Sequence, residues 1–75
     1  MPVTLEKRLV DYFNLCAEEF LYYQRGYIYP TVWQAWCRGM FQYLRIKAVR
    51  ELWESEVKTG SYYGLTMKEI EDGAR

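Results

Sequence analysis

The chain contains no histidine, which removes the usual proton shuttle at neutral pH and the commonest protein ligand for transition metals. Cysteine is scarce: there are two in 75 residues. That is too few for the disulfide framework of a small secreted scaffold and, without histidine, a poor zinc set. Neither cysteine has an evident base, Ser55 and Ser61 lack one too, and the five glycines are scattered rather than gathered into a phosphate-cradling loop. Glu18 and Glu19 are adjacent, but neighbours on a helix point about 100° apart and do not make a ready acid–base pair. These absences argue against an enzyme and call for no cofactor and no metal. No apolar run approaches the roughly 18–20 residues that cross a bilayer, and the opening stretch through Arg8 has no apolar leader core. The expectation is a cytoplasmic domain with no membrane span of its own.

What is present is helical periodicity. Leu9, Phe13, Cys16, Phe20 and Tyr23 recur at alternating fours and threes, and Pro30, Trp33, Cys37, Met40 and Leu44 at threes and fours. Such alternation keeps side chains on one side of an α-helix, as in a coiled-coil seam. Folded about a turn at Gly26 and Tyr27, the rows pair Leu9 with Leu44, Phe13 with Met40, Cys16 with Cys37 and Phe20 with Trp33. The spacing predicts an all-α fold built on an antiparallel helical hairpin. The register makes a Cys16–Cys37 bridge conceivable, although buried free thiols acting as small hydrophobes suit these positions better.

Local signals set the boundaries. Thr4 reads as an N-cap with Glu6 in the first turn, and Gly26 as the residue just past the helix end, giving helix one over about residues 5–25. Pro30 suits a first turn, and Thr31 to Gln34 fits a capping box, giving helix two over 30–44. Continuing that seam would place Lys47 and Glu51 in the core, whereas Ile46, Val49, Trp53 and Val57 form a new apolar face. A corner at 44–47 and a third helix over about 46–58 follow. The competing reading is one helix over 30–58 whose second row, Val32, Trp36, Gly39, Tyr43, Ile46, Trp53 and Val57, serves as a dimer seam. Thr59-Gly60-Ser61 is a stop, and Thr66 to Glu69 a capping box opening a short helix over about 66–72, beyond which Asp72 to Arg75 should fray. Residues 1–75 form a single helical domain, without internal repeats.

Three Trp, three Phe and eight Tyr are many for so small an interior. A domain of this length hides only about 60% of the surface its unfolded chain exposes, so apolar area is left over and a two-fold homodimer is expected. Half-buried tyrosines with wet hydroxyls are the alternative outlet. The hairpin geometry collects Tyr22, Tyr23, Tyr27 and Tyr29 around the first turn and brings Tyr62 and Tyr63 to the same end. With Trp36, these are candidate partner contacts, since Tyr supplies contact area at little entropic cost. The same residues could instead close a miniature core, with Leu65 and Met67.

Ten acids balance ten bases, so no global field draws in nucleic acid or membrane. The distribution is uneven: from Gln24 to Arg50 there are five bases and no acid. Lys7, Arg8, Arg45, Lys47 and Arg50 gather at the pole opposite the tyrosines. Lys47 and Arg50 oppose the dipole at a helix start and need a negative neighbour. Asp11 or another acid of the bundle would serve, as would anionic lipid headgroups or a phosphate backbone. Without interleaved polar readers of base edges, sequence-specific nucleic-acid binding is not expected.

The run Tyr12-Phe13-Asn14-Leu15-Cys16-Ala17-Glu18-Glu19-Phe20, followed by Gly26-Tyr27-Ile28, Val32-Trp33-Gln34-Ala35-Trp36, Gly39-Met40, Glu51-Leu52-Trp53 and Ser61-Tyr62-Tyr63-Gly64-Leu65, resembles a family of small uncharacterised bacterial and metagenomic helical proteins. The likeness spans Val10 to Leu65. It implies a helical region that commonly follows a membrane-spanning segment, and it brings no activity. Members often carry a proline near the positions of Arg45 and Ile46, where this chain has none. The functional expectation is a non-enzymatic interaction module that self-associates. The alternative is a membrane-proximal domain whose basic pole contacts anionic lipid or nucleic acid, and a pocket for a small apolar ligand between helices is a third reading.

Overall fold

A computed structural model describes residues 2–75; Met1, the first residue of the domain span read above, lies outside them. Four helices follow in order, α1 Val3–Gln24, α2 Pro30–Leu44, α3 Lys47–Val57 and α4 Met67–Ala74, with no strand among the described residues. The expected all-α bundle is present.

Each boundary has a local cause. α1 begins earlier than the Thr4 cap predicted: Pro2 sits at the N-cap and its carbonyl accepts from the Glu6 N–H at 3.0 Å, while Thr4 lies inside the helix. Val3, Thr4 and Leu5 contain no breaker, so the helix runs back to the proline. At the far end Gly26 takes φ +79°. Its N–H donates to the Tyr23 carbonyl and the Tyr27 N–H to the Tyr22 carbonyl, both at 3.0 Å. This is the Schellman arrangement, and a left-handed residue makes it possible. Tyr22 and Tyr27 supply the side-chain contact that accompanies it, with ring centroids 6.5 Å apart.

Pro30 decides the start of α2. The residue before a proline is pushed to extended backbone, and Tyr29, at φ −63° and ψ 142°, becomes the N-cap. Thr31 is thereby inside the helix and the Thr31–Gln34 capping box does not form; no side chain caps this end.

The corner after α2 forms without a proline. Arg45 continues the helical conformation and Ile46 alone switches to extended backbone at ψ 121°. The single-helix alternative over 30–58 is therefore wrong, for the reason the stripe change supplies: the break turns Val49 and Trp53 inward. Ile46, read as part of that inward face, is instead exposed at the hinge. The Arg50 Nε donates to the Leu44 carbonyl at 3.0 Å, tying the start of α3 to the electronegative end of α2.

α2 is the central helix and contacts each of the other three; α1 also packs on α3. The antiparallel hairpin is evident from Phe20 against Trp33, centroids 5.5 Å apart, and from Tyr12 against Tyr43 at 5.4 Å. Phe13, Cys16, Met40, Leu44, Trp53 and Ile70 surround one interior point that leaves no room for a water. Two aromatic stacks complete the interior. Tyr23 lies flat on Trp33 at 5.1 Å, and Tyr62 flat on Trp53 at 5.5 Å, with Phe13 edge-on to Trp53 at 5.1 Å.

α4 is a larger part of this core than a short final turn implies. Thr66 caps it as expected, its Oγ1 accepting from the Glu69 N–H at 3.3 Å, and Ile70 is fully buried. The fraying expected over Asp72 to Arg75 is not what the structure shows, since the helix continues to Ala74. Gly73 explains the difference. A Cβ there would fall 2.9 Å from the Cβ of Cys37, nearer still to its Sγ, and 3.2 Å from the Trp33 Nε1. Only a bare α-carbon lets α4 approach α2 this closely. Asp72, paired with Lys68 at 3.2 Å and Arg75 at 3.3 Å, stays on the solvent side.

Candidate interaction surface

The tyrosines read as one group divide in two. Tyr62 is buried against Trp53 and offers no face to a partner, and Tyr23 spends one ring face on Trp33. Tyr22, Tyr27, Tyr29 and Tyr63 remain exposed. Tyr63 is held at φ 56°, followed by Gly64 at φ 84°. The Leu65 N–H donates to the Tyr62 carbonyl at 2.9 Å, a reversed turn that sinks Tyr62 and Leu65 and turns Tyr63 outward.

The basic residues lie at the surface, and two find partners within the chain. Arg50 holds the Leu44 carbonyl. Lys47 stands 3.9 Å from Glu51 in a largely exposed pair, a contact worth little in stability. Asp11, expected as a counter-charge, forms no ion pair among the described residues; the carbonyl end of α2 serves instead. Among the described residues, Lys7, Arg8 and Arg45 have no acid partner.

A third surface emerges that the sequence reading did not assemble. Between α1 and α2, on the side away from α3 and α4, runs an open groove of about 470 Å³ lined by Tyr12, Leu15, Glu19, Trp36, Gly39 and Met40. Through Tyr12 it continues into a smaller hollow of about 200 Å³ bounded by Leu5, Arg8, Leu9 and Tyr43. Its walls are apolar and wet: Leu15 is 54% exposed and Trp36 37%. The α2 wall, Trp36, Gly39 and Tyr43, belongs to the row assigned above to a long dimer seam, and exposed Val32 continues it one turn toward the start of α2. The α1 wall, Leu5, Arg8, Tyr12, Leu15 and Glu19, keeps the same three-and-four spacing, which exposed Tyr22 continues beyond the groove. It escaped notice because Arg8 and Glu19 interrupt its apolar character.

Electrostatics here favour neutral forms. Burial pushes the Cys16 thiol up to about 12 and the Cys37 thiol up to about 11, and raises the Tyr12 and Tyr62 phenols above their usual range. Burial also raises the Glu19 carboxyl. Both cysteines are free and buried, the opposite of the electropositive, exposed setting that activates a thiol. Among the described residues no group of three or more His, Cys, Asp or Glu could hold a metal ion, and no helix is long and apolar enough to cross a membrane.

These thiols and phenols have a consequence for stability. An acid whose pKa is raised by folding contributes stability in full below its unfolded value, and loses it as pH climbs toward the folded value. For Cys16 and Cys37 that window runs from the usual 9.0 to about 12 and 11. Tyr12 and Tyr62 act in the same direction from 10.0. From neutral pH, where Glu19 no longer titrates, the urea midpoint should therefore hold steady to about pH 9 and fall above it. A midpoint that rises with alkali would contradict the burial of these groups.

Compared with known proteins, the chain matches no family model, no curated protein and no solved structure.

Proposed function

We propose that this protein is a non-enzymatic interaction module that self-associates through the outer face of the α1–α2 hairpin. The observation that carries the reading is the row of exposed apolar side chains on both walls of one groove, Leu5, Leu15, Trp36 and Tyr43, which exposed Val32 continues beyond the groove's end. Contiguous apolar surface of this kind, rimmed by charge, marks a contact site in a soluble domain. The thiols supply no activated nucleophile, and Glu19 is the one carboxylate of the groove, which supports binding rather than catalysis. The alternative, a membrane-proximal domain resting its basic pole on anionic lipid, has less support because Arg50 and Lys47 already have acceptors within the chain.

Sedimentation of the wild type and of Leu15→Glu tests the proposal. Leu15 projects into solvent, so the change should alter the fold's stability by no more than about 0.5 kcal/mol. The wild type is expected to sediment as a dimer at micromolar concentration and Leu15→Glu as a monomer with the same helical circular dichroism. A monomeric wild type throughout the micromolar range would remove the proposal.

A further inference from the structure

The α1 wall pairs with itself when one copy is turned end over end. Leu5 then meets Tyr22, Arg8 meets Glu19, and Tyr12 meets Leu15. The α2 wall has the same property: Val32 meets Tyr43, and the largest side chain, Trp36, meets Gly39, over which an added Cβ would find nothing within 4 Å. Resting on the self-association proposed above, we infer that the groove is covered by a second copy of this chain in an antiparallel, two-fold arrangement, α1 on α1 and α2 on α2, closed by reciprocal Arg8–Glu19 pairs.

A two-fold interface must be self-complementary, with residue i on residue j and j on i. Both rows meet that condition when the copies run antiparallel, α1 on α1 and α2 on α2. A two-fold axis along the helices would instead lay α1 over the second copy's α2, which in the hairpin register brings Arg8 level with Arg45 and Glu19 level with Gln34, so that neither charge meets its opposite. The centres of symmetry lie between Phe13 and Asn14 on α1 and between Cys37 and Arg38 on α2. In the hairpin they are out of level by two residues, about 3 Å, which a tilt of the axis of about 20° takes up across neighbouring helices.

Charge supplies the second argument. Neither Arg8 nor Glu19 has an ion-pair partner among the described residues, and along one helix they stand about 16 Å apart, too far to serve each other. Glu19 is part-buried in the groove, where its carboxylate lacks a counter-charge that the second copy's Arg8 provides.

Charge reversal distinguishes this arrangement from others. Arg8→Glu and Glu19→Arg, made singly, each oppose like charges at two symmetric places, and each is expected to weaken dimerisation at least tenfold, read by sedimentation equilibrium. The double variant restores the pair with its sign exchanged and should return dimerisation to near the wild-type value. Circular dichroism of each variant confirms that the helices are intact. Singles that dimerise like the wild type, or a double variant as weak as the singles, would overturn the antiparallel register while leaving self-association standing. A wild type that stays monomeric would remove both.

Discussion

Trp53→Ala is expected to cost about 3–5 kcal/mol, the range for deleting a buried large aromatic. Trp53 is 2% exposed. One ring face stacks on Tyr62 at 5.5 Å and Phe13 meets it edge-on at 5.1 Å, so truncation leaves a void and strips partners from two further aromatics. A domain of 75 residues has roughly 4–11 kcal/mol of stability at typical values per residue. The variant should therefore lose most of its margin and unfold at low urea or without it. Trp36→Ala is the matched control. It removes the same side chain from a groove open to solvent, and at nanomolar concentration, below the range in which association is expected, the urea midpoint should move far less than for Trp53→Ala. Equal losses for the two would contradict the placement of Trp53 at the centre of the core.

Gly73→Ala is the second large effect, and it arises from adding an atom rather than removing many. Ala is ordinarily the better helix former by about 1 kcal/mol, so on an open helix the change would stabilise. Here the new methyl collides with the Sγ and Cβ of Cys37 and presses on the Trp33 indole. Backbone on one side and a packed core on the other leave little room to yield. Overpacking of this kind costs about 1–3 kcal/mol, and the relief available is for the end of α4 to lift from α2. Urea unfolding should show the loss, and amide exchange should show it concentrated over Ile70 to Ala74. Combining Gly73→Ala with Cys37→Ala removes the sulfur that is struck hardest. The pair should be less destabilised than the two single changes predict together, because residues in contact do not add. A Gly73→Ala protein as stable as the wild type would mean that α4 does not approach α2 as described.

The two expected losses show what the sequence could and could not reveal. The hairpin was legible because Phe13, Cys16, Phe20, Trp33, Cys37 and Met40 carry an unbroken apolar period, and that period is also what the interior selects. The corner at Ile46 was legible from the change of stripe that brings Val49 and Trp53 inward. Helix starts were read less well. Thr4 and Thr31 are good caps in isolation, but Pro2 and Pro30 fix the backbone before a hydroxyl can compete. The end of α4 was hidden for a related reason: residues at a chain end are expected to fray, and the use of Gly73 in admitting a neighbouring helix depends on Cys37 and Trp33, far away in sequence. The groove was half legible. Its α2 wall was seen but extended through a corner that breaks it, and its α1 wall was hidden by two charged residues, Arg8 and Glu19, that interrupt its apolar character. Tyr62 and Tyr63 could not be separated by residue type; a single turn with positive φ at Tyr63 and Gly64 sends one in and the other out.

The central claim, that the α1–α2 face is covered when the protein associates, is tested most directly by tryptophan fluorescence quenching with acrylamide over a range of protein concentration. Trp33 and Trp53 are buried in one subunit and Trp36 alone is open, so the quenchable signal reports this face. Quenching is expected at nanomolar concentration and should fade as the protein passes into the micromolar range and Trp36 enters the interface. Quenching that persists unchanged in a sample whose mass has doubled would show that the copies meet elsewhere, and the account of the groove would be wrong.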